Sequence, residues 1–295
     1  MHSRKGLLFI VTIIFLASCG TQKVMTTYQD NAKKAEALGD FGTATDNWKL
    51  YLDKELAKGN PISAEDFAHA AKTAYKASKT DLALNWFGQA QHANYSDPEM
   101  YRDIAAIYKK EDNLSKELEA LEFLHEKFPD TTDSTGVNSR LFEIYSSISS
   151  DEKADAMWPT VAPGNRKQMQ FLNDYFAVEK HLDHDSTCDS VAGAILDIDA
   201  NNVDVLEWLA VGYYHKAEDR YQREMKKYEK NRTHMQHFRL VQQLNIVTDD
   251  FKKSLSYFKT LWKIKQDARY ATYMTNIYTR FEDPEKANYY RKFVK

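Results

Sequence analysis

Apolar residues recur at helical spacing along most of this chain. In Pro98–Thr131, Tyr101, Ile104, Ala105 and Tyr108 fall at i, i+3, i+4 and i+7, giving a first helix one apolar face. Leu114, Leu118, Leu121 and Leu124 mark a second helix, which Phe128-Pro129 ends. The same register returns upstream and downstream. Gly39-Asp40-Phe41 predicts a turn, followed by Ala44 and Trp48 four residues apart. Phe67, Ala70, Ala71 and Ala74 precede Ala83 and Phe87, and Leu141, Phe142 and Tyr145 precede Ala154 and Trp158. Further on, Ala194–Asn202 closes one unit, while Leu206, Leu209, Ala210 and Tyr213 open the next. Small residues such as Ala105 let two helices approach closely, and aromatics of the neighbouring unit fill the groove between them. No unit buries its apolar face alone, so the units must stack.

A helix–turn–helix unit repeating at about 34 residues resembles the tetratricopeptide repeat (TPR). The resemblance covers roughly residues 28–295, although several units lack the family's first-helix Gly and terminal Pro. It implies an all-α fold, a TPR-like α-α superhelix or solenoid. A non-repeating helical domain would also show amphipathic helices, but it would not repeat turn and stop residues in one register. Pro159, Pro163 and Gly164 break the pattern, so a junction is expected at 159–166, between an N-terminal array over 28–165 and a C-terminal array over 166–295.

The penultimate unit is too long. After Tyr213 the small second-helix residue is due near position 222, yet the matching residue is Ser254, just before Phe258. Between Tyr213 and Asp283 there is no Pro or Gly, and Tyr221, Met225, Tyr228, Arg232 and Met235 keep a 4-3-4-3 spacing. Both helices are therefore expected to extend as an antiparallel hairpin over about 214–253, with a longer arm of ~45 Å. Thr248, or the pair Asp249-Asp250, is expected to cap the returning helix. The run from Asp197 through Asn202, then Gly212-Tyr213-Tyr214 and Ser254–Phe258, resembles TPR lipoproteins of Bacteroidota. Two roles fit the hairpin equally, a buttress for its own array and a partner-binding arm.

The N-terminus carries an address. Arg4 and Lys5 precede an apolar run from Leu7 to Ala17, too short for the ~20 residues of a membrane-spanning helix. Such an order, ending in small residues, is that of a secretory signal over 1–18. Leu16-Ala17-Ser18-Cys19 resembles the lipobox of bacterial lipoproteins, which implies acylation of Cys19 and a short tether over 19–27. A plain signal peptide cut elsewhere is the rival reading. Gly20 stands where an inner-membrane lipoprotein would carry Asp, and no acidic run of the surface-export kind follows. The expected location is thus the cell envelope, at the periplasmic face of the outer membrane.

Composition agrees with helices: Gly and Pro number only 10 and 6. A net charge of −3, made more acidic by losing Arg4 and Lys5, offers no basic excess for nucleic acid. With Cys19 acylated, Cys188 has no intrachain partner. Its place in the register is a small buried slot, which favours an apolar filler over a reactive thiol.

The chain shows no phosphate-binding Gly loop, no Gly-x-Ser-x-Gly and no His-Glu-x-x-His, since His125-Glu126 runs into Lys127-Phe128-Pro129. We expect no catalytic residues, no cofactor and no metal. The polar group His181, Asp183, His184, Asp185, Cys188 and Asp189 reads as a turn between helices, and His234 with His237 as a solvated face. Asp130-Thr131-Thr132, Asp133-Ser134-Thr135, Asp185-Ser186-Thr187 and Asp189-Ser190-Val191 resemble the Bacteroidota O-glycosylation acceptor, the first two in an expected exposed loop.

In TPR arrays the first helices line a concave groove. The resemblance places Lys72, Tyr75 and Lys76, then Arg102, Lys109 and Lys110, on it as a basic strip suited to an acidic peptide. Ala106 stands where the family's carboxylate clamp would continue, so a clamp is not implied. Glu207, Tyr214 and His215 form a second, less basic cluster. Together these readings make the chain a membrane-anchored scaffold or adaptor for other envelope proteins or peptides. The alternative is an accessory carbohydrate-binding or hydrolytic envelope lipoprotein.

Overall fold

The computed structural model describes the backbone of residues 19–132 and 136–294, and side chains from residue 27 onward. The expected signal segment and the tripeptide Asp133–Thr135 lie outside the described residues, as does the Cys19 side chain. Among the described residues there are fourteen α-helices and a few short 3-10 turns, with no strand. No described helix is long and apolar enough to cross a membrane. The chain divides into two compact units, residues 1–137 and 138–295.

The first unit holds α1 (Cys19–Ala37), α2 (Phe41–Ala57), α3 (Ala64–Lys76), α4 (Thr80–His92), α5 (Pro98–Lys110) and α6 (Leu114–Lys127). Consecutive helices pack as pairs. The expected tether 19–27 falls within α1, since no proline interrupts it. Phe128 caps α6, and Pro129 starts a 3-10 turn in which Thr132 is buried, so the first glycosylation tripeptide is not the open loop expected. The two tripeptides at 185–187 and 189–191 lie in a helix, α10.

The second unit holds α7 (Val137–Ser147), α8 (Asp151–Met157), α9 (Met169–His181), α10 (Asp185–Ile198), α11 (Val203–Lys230), α12 (His234–Ile264), α13 (Ala268–Arg280) and α14 (Pro284–Arg291). The segment expected as a junction, 159–166, lies inside this unit. Trp158 stacks on Tyr175 at 4.1 Å and Phe142 on Phe171 at 5.9 Å, tying α7 and α8 to α9 across it. Val161 is buried, and Ser139 Oγ accepts from the Ala162 N–H at 3.3 Å. Prolines there end helices without ending the packing.

Two features repeat through the pairs. The first is a left-handed residue in the turn: Gly39, Ser78, Asp112, Ser149, Asp183 and Glu282 all have φ between 53° and 76°. The next N–H closes the turn onto a carbonyl five residues back, as in Asp40→Ala35 (2.9 Å), Asn113→Tyr108 (2.9 Å) and Asp283→Tyr278 (3.0 Å). That is the Schellman arrangement, which satisfies the open carbonyls at the helix end. The second is a buried slot at the fourth residue of each short second helix. Ala44, Ala83, Glu117, Ala154, Cys188 and Ala287 occupy it, all 0–2 % exposed. Cys188 is indeed a filler, and burial first, then Glu179, pushes its thiol up to about 11.

The hairpin is present, with arms of 28 and 31 residues. Leu206, Ala210 and Ala217 on α11 face Val247, Phe251, Leu255 and Phe258 on α12 in one core. The cap differs from expectation. Thr233 accepts from the Gln236 N–H at 3.2 Å and starts α12, leaving Thr248, Asp249 and Asp250 within the helix. With no Gly or Pro in 234–264, nothing stops the helix from reaching back to the tip. Met235, Phe238 and Val241 remain exposed there.

Candidate peptide-binding surfaces

In the first unit the sequence-derived strip lies on α3 and α5. Lys72, Tyr75 and Arg102 are half-buried, while Lys76, Lys109 and Lys110 are exposed. Lys72 Nζ lies 2.8 Å from Asp97 Oδ2 and 3.0 Å from Glu99 Oε2, and Lys76 reaches Glu99 at 3.8 Å. Asp97 also caps α5 by accepting from the Met100 N–H at 2.9 Å. Burial raises the Asp97 carboxyl, but the bonds from Lys72 and Met100 outweigh it and hold it below its ordinary range.

Asp103, one helix turn beyond Glu99, has a buried Oδ2 with no donor. Burial and then the Glu99 charge push its carboxyl up to about 6, against the pull of Lys76, Lys72 and Arg102. Burial, then Asp103, also raises the Tyr75 phenol. The structure thus brings Lys72, Tyr75, Lys76 and Arg102 together and sets Asp97, Glu99 and Asp103 among them. The strip is locally balanced in charge, with Lys72 spent on joining α3 to α5. Lys109 and Lys110 sit apart, in the last turn of α5, where the helix dipole favours cations.

The first unit has a cleft of ≈ 280 Å³ between α2, α3 and α4, lined by Leu52, Leu56, Phe67 and Trp86; three others are in the second unit and meet along α11. One, of ≈ 510 Å³, is lined by Phe176, Ala177 and Lys180 of α9 and by Asp204, Glu207, Trp208 and Val211 of α11. Through Glu207 and Val211 it adjoins a cleft of ≈ 320 Å³ with Phe258, Arg269, Tyr270 and Tyr273. On the other side Trp208 borders a cleft of ≈ 530 Å³, where Asp185 and Asp189 of α10 oppose Lys216, Arg220 and Arg223. The Trp208 indole is only partly buried and meets Phe176 edge-on at 5.4 Å.

The second sequence-derived cluster borders these clefts. Glu207 accepts from the Tyr270 hydroxyl and lies 3.3 Å from Arg269. Burial, followed by that bond to Glu207, pushes the Tyr270 phenol up to about 12. Tyr214 meets Tyr273 edge-on at 4.8 Å, and its hydroxyl accepts from Asn276 Nδ2 at 3.3 Å; His215 meets Tyr273 at 6.4 Å. Sequence reasoning missed Trp208 and its clefts. Trp208 falls outside the Leu206, Leu209, Ala210 and Tyr213 register, and its half-burial against Phe176 depends on the packing of α9 on α11.

No family model matches the chain, and no curated protein does. Among solved structures it is similar to a tetratricopeptide repeat protein from Parabacteroides merdae, at 12 % identity over 92 % of this chain and 92 % of that one, with a TM-score of 0.43. It is also similar to a TPR repeats protein from Bacteroides fragilis, at 13 % identity, 92 % and 99 % coverage and a TM-score of 0.35. The C-terminal part of a TPR repeat-containing protein from Cytophaga hutchinsonii matches at 14 % identity, 89 % and 92 % coverage and a TM-score of 0.37. The all-α fold of stacked helix pairs rests on the helices themselves.

Proposed function

We propose that this chain is a non-enzymatic scaffold of the cell envelope, anchored through an acylated Cys19, whose α11 groove receives an extended segment of a partner protein. The carrying observation is the set of adjoining clefts around Trp208. An indole with one open side among such clefts offers a large, rigid contact, the chemistry of an interface hot spot. Charges beside it alternate in sign, with Asp204 and Glu207 near Lys180 and Arg269. That pattern favours a segment bearing both acidic and basic residues over a polyanion.

The anchor rests on Leu16-Ala17-Ser18-Cys19 behind its apolar run, and the periplasmic face of the outer membrane on Gly20 in place of Asp. A photo-crosslinking residue in place of Trp208, in living cells, is expected to give discrete protein adducts that Arg269→Glu weakens. Labelled palmitate is expected to enter the wild-type chain and not Cys19→Ala. Specific glycan binding with no protein adduct would overturn the scaffold reading in favour of the carbohydrate-binding one.

A further inference from the structure

The most deeply buried acid of the second unit lies away from the α11 groove, where α8, α9 and the start of α10 meet. Glu179, near the end of α9, is 1 % exposed. Its Oε2 lies 3.1 Å from His184 Nδ1, across the turn into α10. Its Oε1 is buried and has no hydrogen-bond donor. Beside His184, Thr187 and the Tyr175 hydroxyl, the Glu179 carboxylate has another carboxylate as neighbour, that of Asp155 on α8. Tyr175 donates to Asp155 Oδ1 at 3.2 Å and so fixes that side chain.

Ionised carboxylates only accept hydrogen bonds. Two of them in contact, with Glu179 fully buried and Asp155 half-buried, repel each other and favour a shared proton or a cation between them. Here an imidazole nitrogen points at the same spot. One ligand atom from each of Asp155, Glu179 and His184 falls within 4.8 Å of the other two. The three come from separate helices or turns, so the grouping is a product of packing rather than of a local acidic run.

We propose that Asp155, Glu179 and His184 form a binding site for a divalent transition-metal ion, with zinc the best match. One nitrogen and two oxygens make a borderline donor set of the kind zinc accepts, and bonds of ~2.0–2.2 Å place tetrahedral ligands ~3.4 Å apart. Closing the set from within 4.8 Å to that spacing requires a movement of at most about 1.4 Å. The His184 side chain, 49 % exposed, is free to supply it without disturbing the core. The ion would replace the proton between His184 and Glu179, and Tyr175 would act as the outer partner that orients Asp155. Because His184 faces solvent, the fourth position is open to water or to a donor from a partner.

The test uses tag-free mature protein, stripped with chelator and passed through gel filtration with excess zinc. The expected result is one equivalent of retained zinc per chain, and a visible cobalt(II) absorption typical of a low-coordinate site. His184→Ala, a change at a half-exposed side chain, is expected to weaken zinc at least tenfold with an unaltered circular dichroism spectrum. Glu179→Gln is expected to abolish uptake, and His237→Ala on the hairpin to leave it unchanged. No retained zinc, or equal retention by wild type and His184→Ala, would overturn the proposal and leave a proton-sharing carboxylate pair.

Discussion

Ser254 Oγ donates a hydrogen bond of 2.7 Å to the backbone carbonyl of Ala210, and both residues are fully buried. It holds α11 against α12 where the hairpin joins the body of the second unit. Ser254 is the long helix's counterpart of Ala44, Ala83 and Ala287, so the slot survives although α12 begins at His234, well before the position 251 that a repeat requires. Ser254→Ala should cost about 1 kcal/mol, the net worth of one hydrogen bond. Ser254→Leu should cost about 1–3 kcal/mol through overpacking. Urea unfolding monitored by circular dichroism measures both.

Glu36 pins three helices of the first unit. Its carboxylate accepts from Trp48 Nε1 at 2.6 Å and Thr73 Oγ1 at 2.5 Å, and contacts His69 Nε2 at 2.9 Å. Burial raises its carboxyl, but the bonds from Thr73, His69 and Trp48 prevail and lower it. A lowered acid stabilises the fold above its unfolded value, here 4.5, and that contribution disappears as pH falls through the folded value. Glu36→Gln should therefore lose about 1–3 kcal/mol at pH 7 and converge on wild type in acid. Melting curves across the acidic range decide this.

Asp103 has the opposite sign. Its folded value of about 6 lies above the ordinary 3.8, so its ionisation opposes folding. The penalty is complete above about 6 and vanishes below 3.8, with stability falling as pH rises between them. Asp103→Asn should raise stability near pH 7 by about 1 kcal/mol, after solvent screening of this partly exposed group. At pH 3.5 the variant and wild type should melt together.

Glu282 holds φ at 56° in the turn between α13 and α14. A left-handed residue with a side chain is strained by ~1–2 kcal/mol, and glycine removes the strain at a chain-entropy cost of ~0.5–1 kcal/mol. Glu282→Gly should stabilise the second unit by about 0.5 kcal/mol. Glu282→Val, with a branched Cβ in the same conformation, should lower the melting temperature instead.

Much of the helical layout was legible in the chain itself. The apolar register foresaw α5 and α6, the turn at Gly39-Asp40, the buried slot at Cys188 and the displaced slot at Ser254. Such features depend on neighbours within one helix or one turn, and a 3.6-residue period records them directly. The cap of α12 was misplaced because Thr248 and Asp249-Asp250 carry capping chemistry, while the absence of a helix breaker let α12 run back to Thr233. Breaker residues also misled at 159–166, where prolines mark helix ends inside a packed unit.

Periodicity and breaker residues alone dictate a helical protein, built from paired amphipathic segments and drawn out into a long hairpin near its C-terminus. Which charges remain available was settled by how the helices pack. That packing joined Lys72 to Asp97 and Glu99, opened clefts beside Trp208, and brought Asp155 to Glu179 and His184. Those relationships link side chains of different helices, and charge–charge energies depend on distance and burial. Periodicity along a chain encodes which face turns inward, and leaves unspecified which partner waits there.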